Sequence, residues 1–91
     1  MYYPYCTIHC SPMGRDLEVV HTPLENGRTI TRFELPDAKL CFKVFECAIP
    51  GYEIIENYGF NESEVEYLLS FCKQNAHLLL TYAKCGGIEN A

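Results

Sequence analysis

The last part of the chain carries an apolar residue at every third or fourth position. This spacing is that of the buried stripe of an amphipathic helix, and it predicts a helix from about Glu62 to Lys84. Asn61 is a good N-cap, and Glu64 stands three residues later, where it completes a capping box. Gly86-Gly87 supplies the helix stop. The predicted stripe consists of Val65, Leu68, Leu69, Cys72, Ala76, Leu79, Leu80 and Ala83.

Polar and apolar residues alternate along the first half of the chain, as in an antiparallel sheet with one covered face. Asn26-Gly27 is the clearest turn signal, because both residues tolerate the positive φ of a type I′ turn. Pro36-Asp37 indicates a second turn. An antiparallel meander is therefore expected over about Leu17–Leu35 and Ala38–Phe45. The expected cross-strand pairs are Glu25 with Arg28, His21 with Arg32, Val20 with Phe33, Glu34 with Lys39 and Phe33 with Leu40.

These pairs divide the side chains of the meander between two faces. The helix stripe is expected to lie on the more apolar face, and the other face is expected to meet water. The apolar face is predicted to carry Val20, Leu24, Phe33, Leu35, Leu40, Phe42 and Val44. The solvated face is predicted to carry His21, Arg32, Glu34, Lys39, Cys41 and Lys43.

The predicted fold class is α+β, an antiparallel β-meander packed against one long C-terminal α-helix. Tyr2 to His9 adds a further predicted strand, and Tyr52 to Glu56 is either a short strand or a helical turn. At 91 residues the chain is expected to form a single domain over 1–91. The sheet is expected over about 1–55, the helix over about 61–85, and a short tail over 86–91.

The net charge and the composition of the N-terminus and of the apolar runs make several classes of function unfavourable. The net charge is −5, so direct nucleic-acid binding is unfavourable, whereas an acidic surface suits a basic protein partner. The N-terminus has neither the basic nor the apolar region of a signal peptide, and no apolar run has the length of a membrane span. We therefore expect a cytoplasmic protein with no membrane association.

The six cysteines and three histidines were weighed as a metal site and as a catalytic pair. Cys6, His9 and Cys10, with His21 further on, do not have the spacing of a common zinc finger. No cysteine lies in a recognisable nucleophile motif. In a cytoplasmic chain six reduced thiols are the default. The expectation is therefore no metal, no cofactor and no enzymatic activity.

Tyr2, Tyr3 and Tyr5 are the predicted partner-binding residues. Tyrosines are enriched in protein interfaces, because their rings offer large apolar contact area with a polar tip. The alternative is an amphipathic edge strand whose phenols reach water. An open sheet edge would itself favour association, as a homodimer or with another protein.

The C-terminal part resembles a family of short bacterial proteins of unknown function. The resemblance is carried by Asn57-Tyr-Gly-Phe60, by the spacing of Glu64 and Leu68, and by Asn75-Ala-His-Leu-Leu-Leu80. Genes of that family often stand beside small partners, as in toxin–antitoxin pairs. The resemblance assigns no site residue to this chain.

Two functions follow as hypotheses. The first is a small intracellular bacterial protein-binding module, one half of a toxin–antitoxin-like pair, without catalysis. The alternative is a phage-type acidic inhibitor of a nucleic-acid-binding protein, in the manner of anti-defence proteins.

Overall fold

The computed structural model describes residues 1–35 and 43–87 of the chain. It shows a five-stranded antiparallel sheet in which strands adjacent in sequence are adjacent in space, followed by a C-terminal helix. The predicted α+β meander with one long C-terminal helix is therefore confirmed. Its elements are β1 (Tyr3–Cys10), β2 (Arg15–His21), β3 (Thr29–Glu34), β4 (Val44–Ile49), β5 (Glu53–Tyr58) and α1 (Glu62–Cys85).

The core lies between α1 and one face of the sheet, and α1 packs against β1, β3 and β4. Phe33 is fully buried at the centre of this core. Its ring centroid lies 6.0 Å from that of Phe45 and 5.7 Å from that of Phe71. Tyr67 on α1 donates a hydrogen bond to the carbonyl of His9, at the end of β1. The buried members of the predicted helix stripe are Leu68, Cys72, Leu79 and Ala83.

Both predicted ends of α1 are confirmed in detail. The Asn61 side chain accepts the backbone N–H of Glu64 at 3.0 Å, and the Glu64 carboxylate accepts the N–H of Asn61 at 2.9 Å. At the other end Gly86 has a φ of 89°, and its N–H donates to the carbonyl of Tyr82. Both caps could be predicted from the sequence because a cap involves residues at most a few positions apart.

Removal of the N-cap side chain is a first test of this fold. We expect Asn61→Ala to lower the free energy of unfolding by about 1 kcal/mol, because the Glu64 N–H loses its acceptor. Urea denaturation measures the change. Ser63→Ala is the matched control, since Ser63 is an exposed neighbour whose side chain is not needed for the cap. Equal losses in both variants would contradict the role given to Asn61.

The hairpin between β2 and β3 follows the predicted turn but not the predicted register. Asn26 and Gly27 have φ values of 54° and 76°, and Glu25 pairs with Arg28 as expected. Further along, His21 pairs with Thr31 rather than Arg32, and Val19 rather than Val20 pairs with Phe33. One additional residue on the β2 side causes this shift.

The extra residue lies in Thr22-Pro23-Leu24, between β2 and the turn. Proline has no N–H to give to the ladder, and the N–H of Leu24 donates instead to the carbonyl of Ala83 on α1 at 3.1 Å. A shift of one residue moves a side chain to the opposite face of a sheet. The predicted faces of β2 are therefore wrong: His21 is fully buried on the helix face, and Val20 pairs with Arg32 on the other face.

The prediction for the second hairpin is also wrong in register. Phe33 pairs with Phe45, and Glu34 pairs with Val44, not with residues just after Pro36-Asp37. A two-residue hairpin turn favours positive φ at its central positions, whereas proline holds φ near −65°. Val44 consequently lies on the face of Glu34, opposite the predicted one. The predicted positions of Lys39, Leu40, Cys41 and Phe42 fall outside the described residues.

The two remaining segments are strands. Tyr2 to His9 was predicted as a strand and corresponds to β1, which has an irregularity between Pro4 and Cys6. The segment from Tyr52 to Glu56 was left open between strand and helical turn, and its residues from Glu53 onward belong to strand β5. β1 and β5 are the two edge strands of the described sheet.

Candidate protein interface

β5 is the least covered element of the described structure. All six of its residues are exposed, including three large apolar side chains: Ile54 at 46%, Ile55 at 48% and Tyr58 at 58%. Its ladder partner is β4 on one side, and none of the strands in the described residues pairs with its outer edge. Such a strand presents backbone N–H and C=O groups and apolar side chains together.

The ends of β5 are held in place by the residues beside them. Before the strand, Gly51 and Tyr52 adopt positive φ values of 98° and 57°, and the Lys73 ammonium lies 5.7 Å from the Tyr52 ring centroid. At the other end of the strand, the Asn57 side chain accepts the N–H of Phe60 and donates to the Phe60 carbonyl. The strand is thus positioned on β4 although all six of its residues are exposed.

A bulge in β5 places two neighbouring side chains on the face of the sheet away from α1, here called the far face. Glu46 pairs with Glu56 and Cys47 pairs with Ile54, so Ile55 is the inserted residue. Ile55 and Ile30 line one shallow depression of about 280 Å³. The exposed Ile55 side chain therefore lies next to the Glu56 carboxylate on the far face.

The far face beside β5 also carries a network of charged side chains. Arg28 Nη2 donates to Glu53 Oε1 at 2.9 Å. Arg32 Nη1 donates to Glu46 Oε2 at 3.0 Å, and Arg32 Nε lies 3.3 Å from Glu34 Oε2. Both guanidinium groups therefore already have carboxylate partners.

Glu56 is the carboxylate of this group to which the described residues provide no ion-pair partner. It stands directly across the ladder from Glu46, and the ion pairs among the described residues do not include it. Like charges directly opposite one another destabilise a sheet. Arg32 and the Tyr2 hydroxyl both donate hydrogen bonds to Glu46. A cation from another molecule would therefore bind more favourably beside Glu56 than beside Glu46.

The three predicted partner-binding tyrosines do not form one exposed patch. Tyr2 is 41% exposed, donates to Glu46 and lies beneath the Arg32 guanidinium. Burial, and next the hydrogen bond to Glu46, raise the pKa of Tyr2, so this phenol remains a donor. Tyr3 and Tyr5 are half-buried on the helix side, where both rings lie against His21. Tyr5 also donates to Asn75 of α1 at 2.8 Å.

The cysteines and histidines weighed as a metal or catalytic set are dispersed. Cys6 and His9 are exposed, with His9 Nδ1 2.8 Å from Asp16 Oδ1. Cys10 and His21 are buried, and His21 Nδ1 donates to the Thr22 carbonyl at 3.0 Å. Within residues 1–35 and 43–87, His, Cys, Asp and Glu side chains form no group of three placed to hold a metal ion.

The five described thiols are unpaired, and three of them are buried. Cys47 on β4 and Cys72 on α1 meet in the core, where the hydrogen bond between the thiols, together with burial, raises the pKa of Cys72. Burial also raises the pKa of Cys10. A thiol held in its protonated form is a poor nucleophile, so these residues act as small core side chains. Cys6 and Cys85 are exposed.

These buried thiols predict a loss of stability at alkaline pH. The ordinary pKa of a thiol is 9.0, and the pKa of Cys72 in the folded protein lies above it. As the pH rises, such a thiol therefore loses its proton in the unfolded chain before it does so in the folded protein. The free energy of unfolding should therefore be constant below that value. Above it, the free energy should fall by about 1.4 kcal/mol per pH unit for each such thiol.

Urea denaturation between pH 7 and pH 10 measures this dependence. Cys72→Ala should show a shallower decline, whereas Cys85→Ala, which removes an exposed thiol, should keep the slope of the parent protein. A slope unchanged by Cys72→Ala would contradict the protonated state assigned to the buried thiol.

The interface residues of β5 were not singled out by the sequence patterns, although a signal for them exists. Ile54-Ile55 is a β-branched pair that directly precedes the segment leading into the helix cap. The last strand of a meander is necessarily an edge strand, so a pair of isoleucines there is a pair at a sheet edge. That inference required the segment to be a strand, which the pattern left open.

No protein-family model, curated protein sequence or solved structure matches the chain. Within the described ranges, no helix combines the length and the apolar character needed to cross a bilayer.

Proposed function

We propose that this chain is a small protein-binding module that acts by binding rather than by catalysis, with the outer edge of β5 as its binding surface. The supporting observation is that all six residues of β5 are exposed, including two adjacent isoleucines, while its ends are anchored. A pre-positioned edge strand can receive a strand of another protein through backbone hydrogen bonds. The partner then covers apolar side chains that the fold leaves in water.

β1, the other edge, is less suited to such pairing. Pro4 lacks a backbone N–H, and the ladder is irregular just after it. Tyr3 and Tyr5 are already engaged with His21. β5 contains no proline, and its bulge and its glutamates would limit indiscriminate pairing without preventing a complementary strand from binding. The N-terminal tyrosines remain the competing location, and Tyr2 is the member that can be tested without disturbing the core.

A second candidate function is inhibition of a nucleic-acid-binding protein. It is favoured by the far face, where Glu34, Glu46, Glu53 and Glu56 outnumber Arg28 and Arg32. A carboxylate-rich surface attracts the basic surfaces that bind phosphates. If this function holds, a partner bound to this chain should lose its affinity for DNA or RNA.

Capture of partners from host cells tests the location of the binding surface. The tagged chain is compared with Ile55→Lys and with Leu78→Lys, which makes the same change at an equally exposed apolar position on α1, 44% exposed. A partner retained by the parent and Leu78→Lys but lost with Ile55→Lys supports the β5 edge. Tyr2→Ala tests the tyrosine alternative in the same way.

Two results would oppose the proposal. One is a partner whose capture is reduced by Tyr2→Ala but not by Ile55→Lys. The other is capture reduced equally by both lysine variants. Urea denaturation of each variant shows beforehand that the fold is intact, and sedimentation of the purified chain shows whether copies of it associate. A partner encoded beside this chain would accord with the toxin–antitoxin-like arrangement that the family resemblance implies.

A further inference from the structure

We propose that the strand received by β5 belongs to a basic partner and places a lysine or arginine side chain against Glu56, with an apolar side chain two residues away over Ile55. This inference rests on the proposed function of β5 as a binding edge. It adds the chemical class of the partner and the order of its residues.

The charge of the site selects a cation. Arg28 is bound to Glu53, and Arg32 is shared between Glu46 and Glu34, so the arginines of the far face are already engaged. Glu56 stands opposite Glu46 without an ion pair among the described residues. A cation placed at the outer edge would relieve this like-charge contact as well as bind Glu56.

The bulge selects the order of residues. Because Ile55 is the inserted residue, the side chains of Ile55 and Glu56 both lie on the far face. Ile55 lines a depression there together with Ile30. Side chains two residues apart in a strand lie on the same face. A partner strand that contacts both Glu56 and Ile55 therefore carries its cationic and its apolar residue two positions apart. Valine, isoleucine or tyrosine is favoured at the apolar position.

A second copy of this chain is a poor occupant of the same edge. Antiparallel pairing of two β5 strands with Ile54 opposite Ile55 would place Glu53 of each copy opposite Glu56 of the other. Each chain also carries a net charge of −5. Such a pair gathers four carboxylates at one interface, which opposes association.

A display library of random twelve-residue peptides tests the proposal on the intact protein. Selection against the immobilised parent should enrich peptides with lysine or arginine two positions from a β-branched or aromatic residue. Ile55→Lys should abolish their retention. For a synthesised selected peptide, Glu56→Lys should weaken binding about tenfold, since an exposed charge pair contributes up to about 1 kcal/mol and reversal adds repulsion. Glu66→Lys, the same change at an exposed site on α1, should leave binding unchanged.

The outcomes separate the two proposals. Peptides that depend on Ile55 but lack cations, or that bind Glu56→Lys as tightly as the parent, would overturn the basic-partner inference and leave the β5 edge standing. Peptides indifferent to Ile55→Lys, or none enriched at all, would count against the β5 edge itself. Selection repeated with Glu56→Lys should enrich acidic peptides in place of basic ones, and continued enrichment of basic peptides would also overturn the inference.

Discussion

Phe33→Ala is expected to lower the free energy of unfolding by about 3–5 kcal/mol, the usual cost of removing a buried aromatic ring. Phe33 is fully buried and contacts Phe45 on β4 and Phe71 on α1, so its ring joins the sheet to the helix. A domain of this size has a total stability of about 5–15 kcal/mol. The variant should therefore be close to unfolding at room temperature.

Urea denaturation or thermal melting measures this loss. Leu78→Ala is the control, because it truncates an apolar side chain that is 44% exposed and should change stability by less than about 0.5 kcal/mol. If the two variants lost equal stability, Phe33 would not be the centre of the core. The same result would contradict the register that pairs Phe33 with Phe45.

The second large effect concerns the ion pair on the far face. Arg32→Ala should cost about 2–3 kcal/mol, because Glu46 is only 8% exposed and would keep its charge without its cation. Tyr2 would remain as a hydrogen-bond donor to that carboxylate, which keeps the cost below that of a fully orphaned charge.

A neutralising second substitution distinguishes this cause from lost packing. Adding Glu46→Gln to Arg32→Ala removes the uncompensated charge and should restore at least about 1 kcal/mol of the free energy of unfolding. A double variant that stays as unstable as Arg32→Ala alone would point to lost packing instead.

The helix and its caps were predictable because their determinants are local. Asn61 and Glu64 are three residues apart, and the hydrogen bonds that join them depend on nothing else in the chain. The apolar stripe is likewise a property of one segment. For these reasons the predicted span, about Glu62 to Lys84, nearly coincides with α1.

The strand registers depended on contacts distant in sequence. The turn at Asn26-Gly27 was correct, but the shift of one residue arises where Leu24 bonds to Ala83, nearly sixty positions away. The shifted register places His21, and not Val20, on the helix face. The register predicted from Pro36-Asp37 was wrong because Phe33 pairs with Phe45, and a proline-containing pair is poorly suited to the two-residue turn from which that register was derived.

The candidate interface was only partly predictable. The expectation of an open sheet edge holds for β1 and β5 alike, but the sequence directed attention to the tyrosines of β1. Which edge is covered depends on where α1 crosses the sheet, and α1 packs on β1, β3 and β4. Among the described residues Glu56 has no ion pair, because Arg28 and Arg32 are paired with other carboxylates.

Amide hydrogen exchange on the free chain and on its complex with the captured partner tests the β5 edge most directly. In the free chain, the amides of Glu53–Tyr58 that do not bond to β4 should exchange rapidly. In the complex, the account predicts strong protection of these amides and little change in Tyr3–Cys10. Protection confined to the β1 edge or to the exposed side of α1, with Glu53–Tyr58 still exchanging as in the free chain, would contradict it.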